Sequence, residues 1–344
     1  MRQVAEKVWA VTAKKNAIHE AHELTRTEGL FRVASCHFVD RFWLFEICFC
    51  VLLSLLALAC SEMTVGARAQ TSERKIRFAV LDFGKAGVGR FAAERLAANL
   101  KLEPSLALTD QDQARAAAGG MGYGGSLNLS LAEARDLGAA LGIDFFVVGD
   151  AQTLRRSPST GQPYFESYAS VFVVSARTGK LVVWQRPNFR AATPDAAEQS
   201  LLLELTSVET RHKLGLAIRR AHEDERGERT LAVDRQTPII EAAPDDEKKA
   251  KEDGLRLPRP FRRLVPPYPD TAAEAEAEAT VDVLADIDAK GEVVRVEIAR
   301  WAGFGLDEST VDTVKRINFF PAMRNGVAIP IRVLLRYNFR KPAN

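Results

Sequence analysis

Residues 280–300 read TVDVLADIDAKGEVVRVEIAR. Val281, Val283, Ala285 and Ile287 alternate with Asp282, Leu284, Asp286 and Asp288. A strand turns successive side chains to opposite faces, so this spacing buries one face and leaves the other largely polar. Ala289-Lys290-Gly291 reverses the chain, and Val294, Val296 and Ile298 then alternate with Arg295, Glu297 and Ala299. The pattern is a β-hairpin.

Working outward, Asp307 is placed to cap a helix whose Val311, Val314 and Ile317 share a stripe, and Asn325-Gly326 marks a tight turn. The last strand sets Ile331, Val333, Leu335, Tyr337 and Phe339 on one face, with Arg332, Arg336, Asn338 and Arg340 mostly on the other. Residues 258–344 therefore read as a small α+β domain.

Residues 70–208 read as an α/β sandwich of two or three layers. Strands are expected at Ile76–Phe83, Ser105–Thr109 and Ile143–Gly149, and a hairpin joins Tyr168–Ser175 to Lys180–Gln185 around Thr178-Gly179. Helices are expected at Phe91–Leu100, from Ser130 to Leu141, and from Thr193-Pro194 toward Arg220. Ser130 and Glu133 form a capping box, and Gly142 is placed to end that helix. Residues 209–257 continue as the end of the last helix and a linker. Its runs HEDERGER and PDDEKKAKEDG mix charges without aromatics, the composition of a solvated segment, with a surface helix near Glu247 as the alternative.

Lys+Arg 47 against Asp+Glu 45 supplies no overall basic field, which argues against a dedicated nucleic-acid binder. All four cysteines, Cys36, Cys48, Cys50 and Cys60, precede residue 61, so thiol chemistry and disulfides are excluded from both domains. Residues 1–69 read as targeting. Phe42–Cys60, FWLFEICFCVLLSLLALAC, is apolar except for Glu46 and Ser54 and is long enough to span a bilayer, while Ile47–Cys60 has the length of a signal-peptide core. Arg2, Lys7, Lys14, Lys15, Arg26, Arg32 and Arg41 lie upstream and few cations follow closely, which sends everything past residue 60 out of the cytoplasm, to the periplasmic side of an envelope. Ala67-Arg68-Ala69 before Gln70 is a signal-peptidase site. Ala57-Leu58-Ala59-Cys60 is a second one, and Cys60 is a candidate for lipidation. Uncleaved, residues 42–60 would anchor the chain in the membrane.

Five elements carry a family resemblance: Pro267-Tyr268-Pro269, the DIDAKGEV hairpin, Gly305-Leu306-Asp307, VKRINFFPA at 314–322 and NGVAIP at 325–330. Their order and spacing across about 258–342 resemble the C-terminal domain of TonB-type energy transducers. Ile317 stands where that family usually has tryptophan, and Arg300-Trp301-Ala302 replaces its common paired serines. The resemblance implies binding by β-strand addition to an exposed edge. The last strand closes the domain, so Ile331, Arg332, Val333, Leu334, Leu335, Arg336 and Tyr337 are the expected partner-binding edge, with acidic partner side chains against the arginines. The implied partners are envelope proteins, in transducers the N-terminal box of an outer-membrane TonB-dependent receptor. The family's Ser-x-x-x-His motif is absent, since Ser54 is followed four residues later by Leu58, and so is its proline-rich spacer. Residues 75–205 bear a lesser similarity to periplasmic α/β domains of curli-secretion and TolB-type proteins, carried by FAVLDF at 78–83, ALGIDFFVVG at 140–149 and ARTGK at 176–180.

Gly87-Val88-Gly89-Arg90-Phe91-Ala92 has the G-x-G-x-x-A spacing of a dinucleotide loop. The expected strand ends at Phe83, so the tight turn such a site needs is missing. His212 and His222 fall on a polar segment, and no nucleophile, base and orienting group come together. The expectation is a protein without enzymatic activity, cofactor or metal. It is either an exported binding protein coupled to outer-membrane transport or an envelope assembly factor without an energy role; a nucleotide-binding enzyme is the remaining alternative.

Overall fold

The computed structural model describes residues 74–232, 240–244 and 247–341. The chain divides into residues 1–73 and 74–344, and every described residue lies in the second unit. The expectations for residues 42–60, Cys60, Ala67, Ala69 and Gln70 therefore fall outside the described residues. Among those described, no helix is long and apolar enough to cross a membrane.

The first half is built on one six-stranded sheet. Its strands are β1 (Ile76–Val80), β2 (Leu106–Leu108), β3 (Phe145–Arg156), β4 (Tyr164–Ser175), β5 (Leu181–Gln185) and β6 (Asn188–Ala191). They run in the order β2-β1-β3-β4-β5, with β6 pairing β4 beyond β5; β2, β1 and β3 are parallel and the rest antiparallel. Because Phe145, Val147, Val171 and Val173 face one way and Phe146, Val148, Phe172 and Val174 the other, both faces need cover. Helices α1 (Gly87–Leu100), α4 (Pro194–Leu205) and α5 (Val208–Ala232) cover the first; α2 (Gln111–Gly120) and α3 (Leu131–Leu141) cover the second. The sandwich is three-layered.

Local signals set the helix ends. Ser130 and Glu133 form both bonds of the capping box, Gly142 ends α3 at φ 64°, and the Thr193 hydroxyl caps α4. The helix from Thr193 breaks after Leu205, where the buried Asn99 side chain donates to the carbonyls of Leu205 (3.0 Å) and Ser207 (2.9 Å). Then α5 runs on through residues whose composition suggests a linker. Leu214 and Ile218 enter the core, and the carboxylate of Glu225 accepts from the Ser175 hydroxyl and, at 2.8 Å, from Arg177.

The second half holds the three-stranded sheet β10-β9-β14, made of β9 (Ala279–Ile287), β10 (Val293–Arg300) and β14 (Ile331–Phe339). Between them come α8 (Leu306–Val314) and the short strands β11 (Phe319–Phe320), β12 (Ala322–Arg324) and β13 (Val327–Ile329). Asn325 and Gly326 both take positive φ in the turn from β12 to β13. This domain starts before residue 258. Helix α6 (Glu247–Glu252) leads into β7 (Leu255–Arg256), which pairs with β12; β8 (Arg259–Pro260) pairs with β11, and α7 (Asp270–Ala275) precedes β9. Asp307 does not cap α8 from the N-cap position. Gly305 holds that place at φ 77°, and the Asp307 carboxylate instead accepts from the N–H groups of Ala302 and Gly303, each at 2.8 Å.

Candidate partner-binding edge

β14 pairs with β9 along its whole length, from Ile331↔Ile287 to Phe339↔Ala279, and among the described residues no strand pairs with its other side. Which main-chain groups face outward follows from one residue. Arg332 donates its N–H to the Glu241 carbonyl (2.8 Å) and accepts at its own carbonyl from Ala243 N–H (2.7 Å). Main-chain groups alternate along a strand, so those of Leu334, Arg336 and Asn338 also point away from β9. The segment Glu241–Ala243 thus lies parallel to β14 and fills the first outward position, and among the described residues no main-chain partner fills the following ones. Arg324 holds this strap through a bidentate pair with Glu241 (2.7 and 2.8 Å).

The seven residues of the expected edge are therefore brought together on one strand. Ile331 and Val333 are buried beneath it, Leu335 and Tyr337 are half-buried, and Leu334 and Arg336 are exposed on the far face. The sequence suggests arginines free to meet a partner, but they are already paired. Arg332 binds Asp286 with two bonds (2.5 and 2.8 Å), and Arg336 binds Asp282 (2.7 and 2.9 Å). Both aspartates are buried on β9 directly opposite, so each pair satisfies a carboxylate that would otherwise be stranded. Beside the edge a cleft of about 610 Å³ is lined by Pro258, Leu264, Ile317, Tyr337 and Arg263. Burial raises the pKa of Tyr337, and the nearby Arg263 opposes that shift.

The position that departs from the family pattern proves to be the junction of the two domains. Trp301 is buried in the core of the first domain, stacked on Phe172 with ring centres 5.8 Å apart, and its indole N–H donates to the Gly179 carbonyl at 3.0 Å. Phe304 meets Phe172 edge-on at 5.4 Å and Trp184 at 5.3 Å. Asn128 clamps the other side, donating to the carbonyls of Thr280 and Trp301 and accepting from Thr280 N–H. Arg300 reaches Glu133 of α3 at 3.0 Å and Asp282 of β9 at 3.5 Å. In the sequence Trp301 stands out only as an unusual residue; nothing there marks Asn128 or the strap.

The G-x-G-x-x-A loop finds another account. A Cβ on Gly89 would lie 2.0 Å from the Phe83 carbonyl oxygen, so the chain's own backbone requires this glycine. Among the described residues no group of three or more His, Cys, Asp or Glu side chains is placed to hold a metal ion.

The second domain is thus a small α+β unit whose β14 carries, among the described residues, only the strap Glu241–Ala243 on its outer side. Residues 265–340 match the family of the Gram-negative bacterial TonB protein C-terminal, and this part of the chain is a TonB C-terminal domain. Among solved structures, the chain is similar to the TonB C-terminal domain of Pseudomonas aeruginosa at 18% identity, covering 29% of this chain and 93% of that one, with a TM-score of 0.23. It is also similar to a hypothetical protein of Chlamydia trachomatis at 15% identity, covering 38% and 93%, with a TM-score of 0.29. The C-terminal domain of LpoB from Salmonella enterica matches at 13% identity, covering 37% and 90%, with a TM-score of 0.25. No curated protein sequence matches the chain.

Proposed function

We propose that this is a cell-envelope protein whose TonB-type domain captures an extended segment of another envelope protein by strand addition to β14. The observation that carries the proposal is the row of outward main-chain groups at Leu334, Arg336 and Asn338, continuing a pairing that Glu241–Ala243 begins. A segment added there gains main-chain hydrogen bonds worth about 1 kcal/mol each. In its fuller form the proposal makes the partner an outer-membrane TonB-dependent receptor. The junction at Trp301 favours a second reading, an envelope assembly factor, because it fastens the TonB-type domain to a large partner domain instead of leaving it on a tether. Either way the chain acts by binding, on the periplasmic side.

The test is site-directed photocrosslinking of the full chain in intact envelopes, with the crosslinker at Leu334 and, as a control, at Arg295. Capture from Leu334 alone, lost when Asn338→Pro is added to the Leu334 crosslinker while circular dichroism stays native, is the expected result. Equal capture from both sites, or capture that survives the proline in folded protein, rejects this edge. Recovery of a transporter or of an assembly protein separates the two forms.

A further inference from the structure

Two unpaired sheet edges meet across a cleft between the domains. Among the described residues, β5 has no partner strand on its outer side, and β10 has only the single bridge from Arg300 to Ser130. A cleft of about 620 Å³ is lined by residues 181–184 of β5, by residues 296–298 of β10, and by Glu308, Val311 and Asp312 of α8. Consecutive residues of a strand point to opposite faces, so a groove lined by unbroken runs of both strands follows their edges and not their faces.

The hydrogen-bond register agrees. The N–H groups of Ser175 and Ala169 on β4 donate to the carbonyls of Lys180 and Pro187, so the odd-numbered residues of β4 face β5. Their register partners Val183 and Gln185 face back, which leaves Trp184 pointing outward and, past the register irregularity at Val182, Leu181 opposite Val174 as well. On the other strand, Arg332 turns away from β9, so its partner Asp286 faces β10 opposite Arg295; Glu297 faces inward in the same way. Val296 and Ile298 therefore point outward. Both rows of open groups border the one cleft.

Its chemistry selects the occupant. Leu181, Val182, Trp184, Val296 and Ile298 make it apolar, while Glu308 and Asp312 are exposed along one side and form no ion pair among the described residues. We infer that this cleft binds an extended segment of a second protein, apolar with interspersed lysine or arginine, inserted as a strand between β5 and β10. Main-chain bonds to the two edges hold it, and its cations lie against Glu308 and Asp312. The inference is independent of partner capture at β14.

The probe is a fluorescent peptide of alternating valine and lysine, titrated into the full chain and followed by anisotropy beside a valine–glutamate peptide. The lysine peptide should bind and the glutamate peptide should not. Reversing both charges, Glu308→Lys with Asp312→Lys, should weaken binding by about tenfold or more without moving the melting temperature. Val296→Pro should abolish binding, and Leu334→Pro should leave it unchanged. A proline in β10 can also unfold the strand, so the exposed charge reversals are the deciding measurement. Equal binding of both peptides, or unchanged affinity in the charge-reversed protein, overturns the inference.

Discussion

Trp301→Ala removes the side chain on which the two domains are fastened. The tryptophan is 1% exposed, lies flat on Phe172 and directs its only polar hydrogen to Gly179. Truncating a buried tryptophan costs about 3–5 kcal/mol, and the amount depends on how far the surroundings collapse into the space. Here they have little freedom. Gly179 is pressed against Leu131, with 2.2 Å between its would-be Cβ and the Leu131 oxygen, and Gly303 abuts the Phe172 ring in the same way at 2.6 Å. The upper half of the range is therefore expected, about 4 kcal/mol, or a melting temperature lower by roughly 8–16 °C. Trp301→Phe keeps the stack and loses the N–H, so it should cost about half as much. Urea titration and scanning calorimetry of the full chain measure both. The alanine variant should also split one calorimetric transition into two, since the domains lose their shared core. A loss below about 1 kcal/mol with an unsplit transition would refute the reasoning, since such a loss is ordinary for sites without a special role.

Gly89→Ala should destabilise by at least about 2 kcal/mol in thermal melts, because its methyl meets a main-chain oxygen that cannot step aside; the sequence alone suggests no such penalty. Burial pushes Asp307 up to about 6 despite its two backbone donors, so the folded protein keeps a proton that the unfolded chain releases near pH 4. Stability should accordingly fall by about 2–3 kcal/mol as pH rises from about 4 to 6 and stay level above, and Asp307→Asn should flatten that slope in urea titrations. Ala243→Pro removes the N–H that binds the Arg332 carbonyl, so releasing the strap should raise crosslinking at Leu334 about fivefold; a decrease would show that the strap helps the partner bind.

The parts legible in sequence are those written in short-range code. Alternation over 281–299 and 331–339 locates β9, β10 and β14, and Ser130, Gly142 and Thr193 mark helix ends by their own chemistry. Residues whose partners are distant mislead. The polar end of α5 looks like linker because Glu225 needs Ser175 and Arg177 to hold it. β3 and β4 run past their apolar cores into QTLRR and YFES, where the buried Glu166 and Ser167 are satisfied across the strands by Arg156 and Thr153. The edge itself is readable from its place at the end of the domain. The neutralisation of its arginines is not, because that requires the register of β14 against β9.

That same register joins the open edge to the domain junction. Arg336 on β14 holds Asp282 on β9, Asp282 meets Arg300 on β10 at 3.5 Å, and Arg300 reaches Glu133 at the start of α3. Glu133 is fixed in turn by the Ser130 N–H at 2.7 Å, which with Arg300 holds its carboxyl below the usual carboxylate range. A line of charge-assisted bonds thus crosses all three strands and ends in the capping box of the first domain, with Asn128 and Trp301 beside it. Such bonds are stronger than neutral ones, and they act as a network when each member is satisfied. β14 is therefore linked through folded structure, not only through the segment after α5, to the sandwich core. Under the proposed strand addition, a partner bound at β14 would meet a frame fixed by these named side chains, which is the condition the assembly-factor reading needs.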